Sequence, residues 1–226
     1  MRSRLFSRLA AAGLAALGMA APARANDHDF NIWLGQFATI NASDSVYVRL
    51  EAQERFTDDA DRLGQLLLRS LVAYRLDPTV SLGAGYAYIL TRPDGRADLN
   101  EHRFYQELNV RLLQTAGGVT VDSRTRIEQR TFEERNGTAW RLRQFVQLRV
   151  PITGRNKLVA YTEPFIDLNQ TDVQRGGVSL WRNFAGVSVP LANRIEMVPG
   201  YLNQHVFRDG RDRSDHVANV NLVMTF

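Results

Sequence analysis

Residues 218–226 read Ala-Asn-Val-Asn-Leu-Val-Met-Thr-Phe, and this closing stretch decides the fold. Its apolar residues fall at every second position as far as Phe226, whereas Asn219, Asn221 and Thr225 fall on the opposite face. An alternation with a period of two predicts a β-strand with one apolar and one polar face. The chain therefore closes on a strand whose apolar face ends in an aromatic side chain.

The closing strand also has the pattern of an assembly signal. Apolar residues at every second position before a terminal Phe are typical of the signal that directs bacterial outer-membrane barrels to the barrel-assembly machinery. The predicted signal residues are Val220, Leu222, Met224 and Phe226. The barrel-assembly machinery is therefore an expected partner of the chain.

The same alternation recurs upstream in long segments. From Val46 to Phe56, one face carries Val48 and Leu50, whereas the other carries Arg49 and Glu51. Strands of soluble sandwiches have about five or six residues, whereas a tilted strand that crosses a membrane needs about nine to eleven. Only a closed barrel pairs every backbone group of such strands in lipid. The sequence therefore predicts an all-β fold, a closed antiparallel transmembrane β-barrel.

The connections between the segments predict the topology and the number of strands. Short turns, such as 77–78 and 192–193, alternate with longer charged loops, such as 91–100 and 208–213. Short turns are expected in the periplasm and long loops outside the cell. Eleven segments alternate, but bacterial single-chain barrels have an even number of strands. We therefore expect ten strands if residues 30–41 are not a regular wall strand, or twelve if one strand is missing from the count.

The N-terminus predicts export. Three arginines within the first eight residues precede an apolar run at residues 9–21, and Ala-Arg-Ala at residues 23–25 is typical of a secretory cleavage site. The run is shorter than the roughly 20 residues of a transmembrane helix. We expect residues 1–25 to be a cleaved signal peptide. Residues 26–226 are then a single barrel domain in the outer membrane of a Gram-negative bacterium.

The composition excludes several functions. The chain has 28 lysines and arginines, 24 acids and no cysteine. Because the predicted signal peptide contains four arginines and no acid, the mature chain has 24 basic and 24 acidic residues, which removes the electrostatic basis for nucleic-acid binding. The absence of cysteine excludes disulfides, thiol catalysis and cysteine-bound zinc. We expect no cofactor and no metal; the expected partners are outer-membrane lipid and lipopolysaccharide, and small anionic solutes if the lumen is open.

Charged side chains are predicted on the inward faces of the strands, and arginines outnumber acids among them. A small barrel must fill its interior, so one hypothesis is a structural barrel whose lumen is plugged by salt bridges. The other is a narrow channel in which unpaired guanidinium groups prefer anions. The predicted lumen-lining residues are Arg49, Glu51, Arg55, Arg69, Arg75, Arg103, Glu107, Arg111, Arg124, Arg126, Glu128, Arg130, Arg141, Arg143, Arg149, Glu163 and Asp167.

A third hypothesis is a lipid-modifying hydrolase at the extracellular rim. His205 and His216 flank the loop at residues 208–213, and Ser214 lies next to that loop. The aspartates nearby are Asp209, Asp212 and Asp215. A Ser-His-Asp set there could attack a lipid ester. No nucleophile motif, phosphate-binding loop or zinc spacing accompanies these residues, so we expect no enzymatic activity and assign no catalytic residue.

Several short motifs extend over nearly all of the mature chain. They are Arg55-Phe56, Gly83-x-Gly85-Tyr86-x-Tyr88, Glu101-His102-Arg103-x-x-Gln106, Arg124-x-Arg126-x-Glu128-x-Arg130, Arg141-x-Arg143, Glu163-x-Phe165 and Gly200-Tyr201-Leu202-Asn203-Gln204. In this order they resemble a bacterial family catalogued as domain of unknown function 2490. The resemblance implies an outer-membrane β-barrel and supplies no activity. Arg182 and Asn183 stand in the reverse of the order that the family pattern leads us to expect.

Overall fold

The computed structural model describes residues 27–226, and the predicted signal peptide at residues 1–25 lies outside them. The long alternating segments form eleven β-strands. The strands are β1 (Asp27–Asn41), β2 (Val46–Thr57), β3 (Arg62–Arg75), β4 (Val80–Thr91), β5 (Leu99–Gln114), β6 (Thr120–Phe132), β7 (Ala139–Pro151), β8 (Lys157–Asp167), β9 (Gly177–Ala192), β10 (Ile195–Val206) and β11 (Arg213–Thr225). Each strand pairs with its sequence neighbours, and β1 also pairs with β11, so the sheet closes. The predicted all-β closed barrel is confirmed.

The predicted strand number is wrong, because the barrel has eleven strands and not ten or twelve. Residues 30–41 lie within β1, which is a regular wall strand. β1 pairs with β2 in antiparallel and with β11 in parallel orientation, in a register that runs from Asp27 opposite Arg213 to Thr39 opposite Thr225. The prediction of an entirely antiparallel sheet is therefore also wrong. An even number is required only when every neighbouring pair is antiparallel, so one parallel seam permits an odd number.

The two ends of the barrel differ in the length of their connections. At one end short turns join the strands, for example residues 76–79 between β3 and β4. At the other end the loops include the longer segments 92–98, 133–138 and 168–176. We call these ends the turn end and the loop end. Because the number of strands is odd, β1 begins at the loop end and β11 finishes at the turn end.

Two glycines in β4 make room for interior side chains, among them a tyrosine. Tyr105 of β5 is fully buried, and its hydroxyl donates to the Ser70 carbonyl oxygen at 2.9 Å. A Cβ atom at Gly85 would overlap both that oxygen and the Tyr105 ring, and one at Gly83 would crowd β3. The pleat sends both glycine positions inward, where Gly85 leaves space for the tyrosine and Gly83 leaves space for the inward side chains of β3.

The interior has two sides with different chemistry. On β1 and β8–β11, inward side chains form an apolar cluster that includes Trp33, Phe184, Val198 and Leu202. On β5–β7, the inward positions are mainly arginine and glutamate. The barrel therefore encloses an ionic side that faces an apolar side across the lumen.

The outward face is mainly apolar. Exposed apolar side chains on the strands include Leu50, Leu68, Val72, Leu82, Phe104, Leu158 and Trp181. Gln106 and Gln144 are polar exceptions on this face, and both find partners on neighbouring strands. Gln129 donates to Gln106 at 2.9 Å, and Thr125 donates to Gln144 at 2.6 Å. Among residues 27–226, no helix is long and apolar enough to cross a membrane.

Candidate functional site

Charged side chains from separate strands meet inside the barrel. Glu107 of β5 and Arg126 of β6 are direct partners in the register, and both point inward. Arg126 donates from Nε and Nη2 to Glu107 Oε2 at 3.0 and 2.6 Å. Arg49 Nη2 of β2 contacts the other carboxylate oxygen at 2.5 Å. Because β2 and β5 are not neighbours, this contact passes through the lumen.

Glu128 of β6 is the centre of a second group of contacts. Its side chain is completely buried, and its Oε1 atom lies 2.8 Å from Arg143, 3.3 Å from Arg103 and 3.7 Å from Arg126. A buried carboxylate needs charged or hydrogen-bonding partners to offset the loss of its hydration. Three guanidinium groups around one carboxylate provide them and leave an excess of positive charge.

Further ion pairs extend this arrangement along the barrel. Glu163 contacts Arg143 at 2.8 Å and Arg124 at 2.9 Å. Toward the loop end, Glu101 contacts Arg103 and Arg130, both at 2.7 Å. The remaining pairs are Arg69 with Glu51, Arg141 with Asp167, and Arg149 with Glu196. We call all of these ion pairs the lumen network.

The structure places the sequence-predicted lumen residues on inward faces, and most of them belong to the lumen network. Arg75 and Arg111 lie instead near the turn end, where Arg75 donates to the Asp44 carbonyl oxygen at 3.2 Å and Arg111 donates to Asp122 at 2.8 Å. Arg55 lies inside but contacts no carboxylate of residues 27–226. The predicted set is therefore brought together except at these three positions.

The sequence-based selection missed several charged lumen residues, among them Glu101, Glu196 and Arg182. Each of these residues lies two positions from another inward residue of the same strand. The alternation of the strand could therefore have identified it as inward. Glu196 is obscured because the register between β9 and β10 shifts at Ile195 and Glu196. Arg182 is the only charged residue at an inward position of β9, so the pattern of that strand does not draw attention to it.

Arginines and aromatic rings alternate across the lumen. The Cζ atom of Arg55 lies 4.0 Å from the ring centroid of Trp33, and that of Arg182 lies 4.8 Å from the same ring. Arg182 also lies 4.8 Å from the ring centroid of Phe165, which Arg143 approaches to 4.3 Å. Cation–π attraction holds each guanidinium near its ring. We call these five residues, which come from β1, β2, β7, β8 and β9, the arginine–aromatic stack.

Three cavities follow one another along the lumen. The loop-end chamber has a volume of about 530 Å³, the middle chamber about 320 Å³ and the turn-end chamber about 630 Å³. Trp33, Arg55 and Arg182 line both the loop-end and the middle chamber. Arg149 and Glu196 line both the middle and the turn-end chamber. The arginine–aromatic stack therefore separates the first two chambers, and an ion pair lies between the last two.

The residues of the hydrolase hypothesis are partly brought together, outside the lumen at the loop end. His205 Nδ1 lies 3.2 Å from Ser214 Oγ, and His205 Nε2 lies 3.2 Å from Asp212 Oδ2. A hydrogen bond from the Arg208 backbone N–H lowers the pKa of Asp212, and the hydrogen bond with His205 adds to this effect. Asp212 is therefore a carboxylate at neutral pH and can orient the histidine.

The other residues of that hypothesis lie elsewhere. His216 Nε2 lies 3.1 Å from His28 Nδ1 across the seam between β1 and β11. Asp209 contacts Arg175 at 2.9 Å, and Asp215 is buried on the inward face. Within residues 27–226, no group of three or more His, Asp or Glu side chains is arranged to hold a metal ion.

Comparisons with known proteins agree with the resemblance inferred from the motifs. A family model described as "Protein of unknown function (DUF2490)" matches residues 30–215, which include β2–β10 in full. The chain is 30% identical over 228 residues to an uncharacterized protein of Methylorubrum extorquens, and the alignment covers 97% of this chain and 98% of that protein. No solved structure matches. The predicted family is confirmed.

Proposed function

The chain belongs to the DUF2490 family, whose function is unknown, and from its geometry we propose an integral outer-membrane β-barrel whose lumen is closed by ion pairs. One observation carries the proposal: charged groups are buried inside, and large apolar groups are exposed outside. Arg126 and Glu128 are completely buried, whereas 59% of Val72 and 57% of Phe104 are exposed. An apolar wall of this extent is unfavourable in water and favourable in lipid.

Strand length and closure support the same proposal. The strands have 11 to 16 residues, more than the roughly nine to eleven that a tilted strand needs to cross a bilayer. Because the barrel is closed, no strand leaves a row of unpaired backbone groups to face lipid. In this proposal the chain is exported by a signal peptide at residues 1–25. It then resides in the outer membrane of a Gram-negative bacterium, with lipid and lipopolysaccharide around its wall.

The lumen network favours a structural barrel over an open anion channel. Glu107 joins Arg126 to Arg49, and these contacts pass through the space that a solute would need. The arginine–aromatic stack divides the space that remains. An anion crossing the barrel would have to displace buried ion pairs, which is costly because each separated charge would lose its partner in a low-dielectric interior.

Fractionation tests the membrane part of the proposal. We expect the mature protein in the outer-membrane fraction, and we expect it to migrate faster in SDS before boiling than after, because a closed barrel resists the detergent until heated. The control is a periplasmic protein prepared in parallel. Recovery in the soluble periplasmic fraction, without a heat-dependent shift, would contradict the proposal.

Planar-bilayer recordings test whether the lumen is closed. We expect the refolded protein to insert without discrete conductance steps. Steps with a reversal potential that shows anion selectivity would favour the channel instead. The variants Arg126→Glu and Arg143→Glu would then have to shift the selectivity toward cations, because both side chains face the lumen.

The closing strand is proposed to act as the signal for the barrel-assembly machinery. Its outward side chains Leu222, Met224 and Phe226 face away from the lumen, where a membrane-embedded partner can contact them. The backbone of Phe226 also takes part in closure, because its N–H donates to the Thr39 carbonyl oxygen at 2.8 Å. In this proposal one strand supplies both a recognition surface and the seam.

A second candidate function is ester hydrolysis at the loop end, and the contacts of His205 favour it. In this candidate, His205 removes the proton of Ser214 Oγ as that oxygen attacks the carbonyl carbon of a lipid ester. The proton then passes to the departing alcohol, and water hydrolyses the acyl-serine to the acid and restores the hydroxyl. The contacts that support it are the two at 3.2 Å from His205 to Ser214 and Asp212.

Covalent labelling tests this second candidate. A fluorophosphonate probe should label the folded barrel at Ser214 and should not label Ser214→Ala. The matched control is Ser179→Ala, which removes another serine of the barrel wall near the loop end. If the wild type is not labelled, or if Ser214→Ala is labelled equally, the hydrolase candidate is wrong.

A further inference from the structure

The lumen carries more arginines than acids. In the lumen network, nine arginines contact seven carboxylates. Arg213 and Asp215 form one further inward pair at the loop end. Arg55 and Arg182 also lie inside and contact no carboxylate of residues 27–226, so among these residues twelve arginines face eight acids, an excess of four positive charges. A low-dielectric wall focuses such an excess, which therefore attracts anions.

Arg182 has hydrogen-bond donors that no described residue uses. Its Nε donates to Gln204 Oε1 at 2.9 Å, but Nη1 and Nη2 make no hydrogen bond within residues 27–226. Glu163 lies opposite Arg182 in the register of β8 and β9, yet its carboxylate is held by Arg124 and Arg143. The planar fork of Arg182 is thus free to receive a carboxylate.

Arg55 places a second uncompensated charge near the same ring. Its guanidinium donates to the side-chain oxygens of Gln53 and Gln65 at 2.7–3.1 Å. The amide oxygens accept the hydrogen bonds of the Arg55 guanidinium but carry no negative charge, so its positive charge is not neutralised. Since the Cζ atoms of Arg55 and Arg182 lie 4.0 and 4.8 Å from the Trp33 ring centroid, both guanidinium groups act on one small region of the lumen.

The middle chamber has an apolar wall beside these arginines. Tyr161 and Phe184 stack with ring centroids 4.9 Å apart and an interplanar angle of 16°. Val198 continues this surface, and Arg182 occupies the inward position immediately before Phe184 on β9. The chamber, with a volume of about 320 Å³, therefore has one apolar side and one side of charged and amide side chains. Its volume lies within the range of small-molecule sites.

We propose that the middle chamber binds a small organic carboxylate. The carboxylate accepts hydrogen bonds from the Nη atoms of Arg182 and lies in the field of Arg55, and the apolar body rests against Tyr161, Phe184 and Val198. The ligand supplies the negative charge that the lumen lacks. This inference rests on the closed, ion-paired lumen of the proposed function, because an open channel would conduct the anion instead of retaining it.

Fluorescence of Trp33 tests the site with benzoate as the probe. The sequence contains three tryptophans, and Trp140 and Trp181 lie on the outward face with 41% of each exposed. In the variant Trp140→Phe/Trp181→Phe, the emission therefore reports on Trp33 alone. We expect benzoate to change this emission saturably. Acetate and phosphate, which lack the apolar body, and benzyl alcohol, which lacks the charge, should bind at least about tenfold more weakly.

Substitutions locate the binding site. In the same background, Arg182→Gln should weaken benzoate binding at least about tenfold. Arg175→Gln should leave it unchanged, because Arg175 is a loop residue that contacts Asp209. Circular dichroism and cooperative unfolding must first verify that each variant is folded.

Three results would overturn the inference: no saturable response in the folded parent, an equal response to phosphate or acetate, or unchanged affinity in both Arg182→Gln and Arg55→Gln. Failure of the proposed function has a different signature, because it is read from membrane fractionation and conductance. A folded, non-conducting outer-membrane barrel that does not bind benzoate would contradict the ligand site alone.

Discussion

Arg126 donates two hydrogen bonds to a single oxygen of Glu107, and neither side chain contacts solvent. The two residues lie on neighbouring strands, and both side chains of the pair are fully buried. Taking both charges out of water is costly, and their attraction offsets that cost only while both partners are present. The loss of either side chain should therefore lower the stability of the barrel strongly.

Removal of Arg126 should strongly destabilise the barrel. Arg126→Gln leaves Glu107 with Arg49 as its remaining arginine partner, and we expect the free energy of unfolding to fall by about 3 to 5 kcal/mol. Arg182→Gln is the matched control because it separates no carboxylate from its partner, and its free energy of unfolding should stay the same or rise. Urea unfolding followed by circular dichroism measures both. Equal losses would show that Arg126 is no more important than an uncompensated arginine.

Substitution by arginine should destabilise two neighbouring residues of β11 to very different extents. Leu222 faces outward, so Leu222→Arg should cost about 2 to 4 kcal/mol if it lies near the bilayer midplane. Asn221 lines the middle chamber, so Asn221→Arg should cost much less. Unfolding of both variants in lipid vesicles gives the comparison. A similar cost at both positions would mean that lipid does not surround the outward face.

The aromatic ring of Phe226 should matter for assembly and little for stability. Phe226→Ala keeps the backbone hydrogen bonds to Thr39 and Asn41, at 2.8 and 2.9 Å, and removes only the ring. We expect less folded barrel in outer membranes and an unchanged urea midpoint. Phe30→Ala, which removes an exposed ring at the loop end, is the control. If both variants assemble equally well, Phe226 is not part of the signal.

The turn at Asp77 should make a small pH-dependent contribution to stability. Hydrogen bonds from the Thr79 hydroxyl and from the N–H groups of Thr79 and Val80 lower the pKa of Asp77 below its usual value of 3.8. Because the folded pKa is the lower one, the contribution is present above the unfolded pKa and is lost as the pH falls through the folded pKa.

The comparison with Asp77→Ala measures this contribution. The stability difference between wild type and variant should be constant above about pH 5 and should shrink below about pH 4. Asn193→Ala, in a turn at the same end of the barrel with a side chain that does not titrate, should give a difference that does not depend on pH. A difference that does not depend on pH would mean that the charge of Asp77 is not responsible.

The alternation in the sequence determined the strands and the direction of each side chain. In β5, the order Glu101, Arg103, Tyr105, Glu107 on one face is a local property, because successive residues of a strand point to opposite sides. The short turns and long loops likewise follow from local composition. The closed all-β barrel and the inward arginines could therefore be predicted without any structure.

Only the tertiary structure decided which of these side chains meet. The contact between Arg49 and Glu107 joins strands that are not neighbours, and the position of Arg182 between Trp33 and Phe165 depends on the curvature of the closed sheet. The number of strands is another property that the sequence did not decide. Eleven segments were visible in the sequence, but a barrel of eleven strands closes only with one parallel pair, β1 with β11. The period of two determines whether a side chain points into the lumen or outward. The register and closure of the whole sheet determine which other side chains it contacts there.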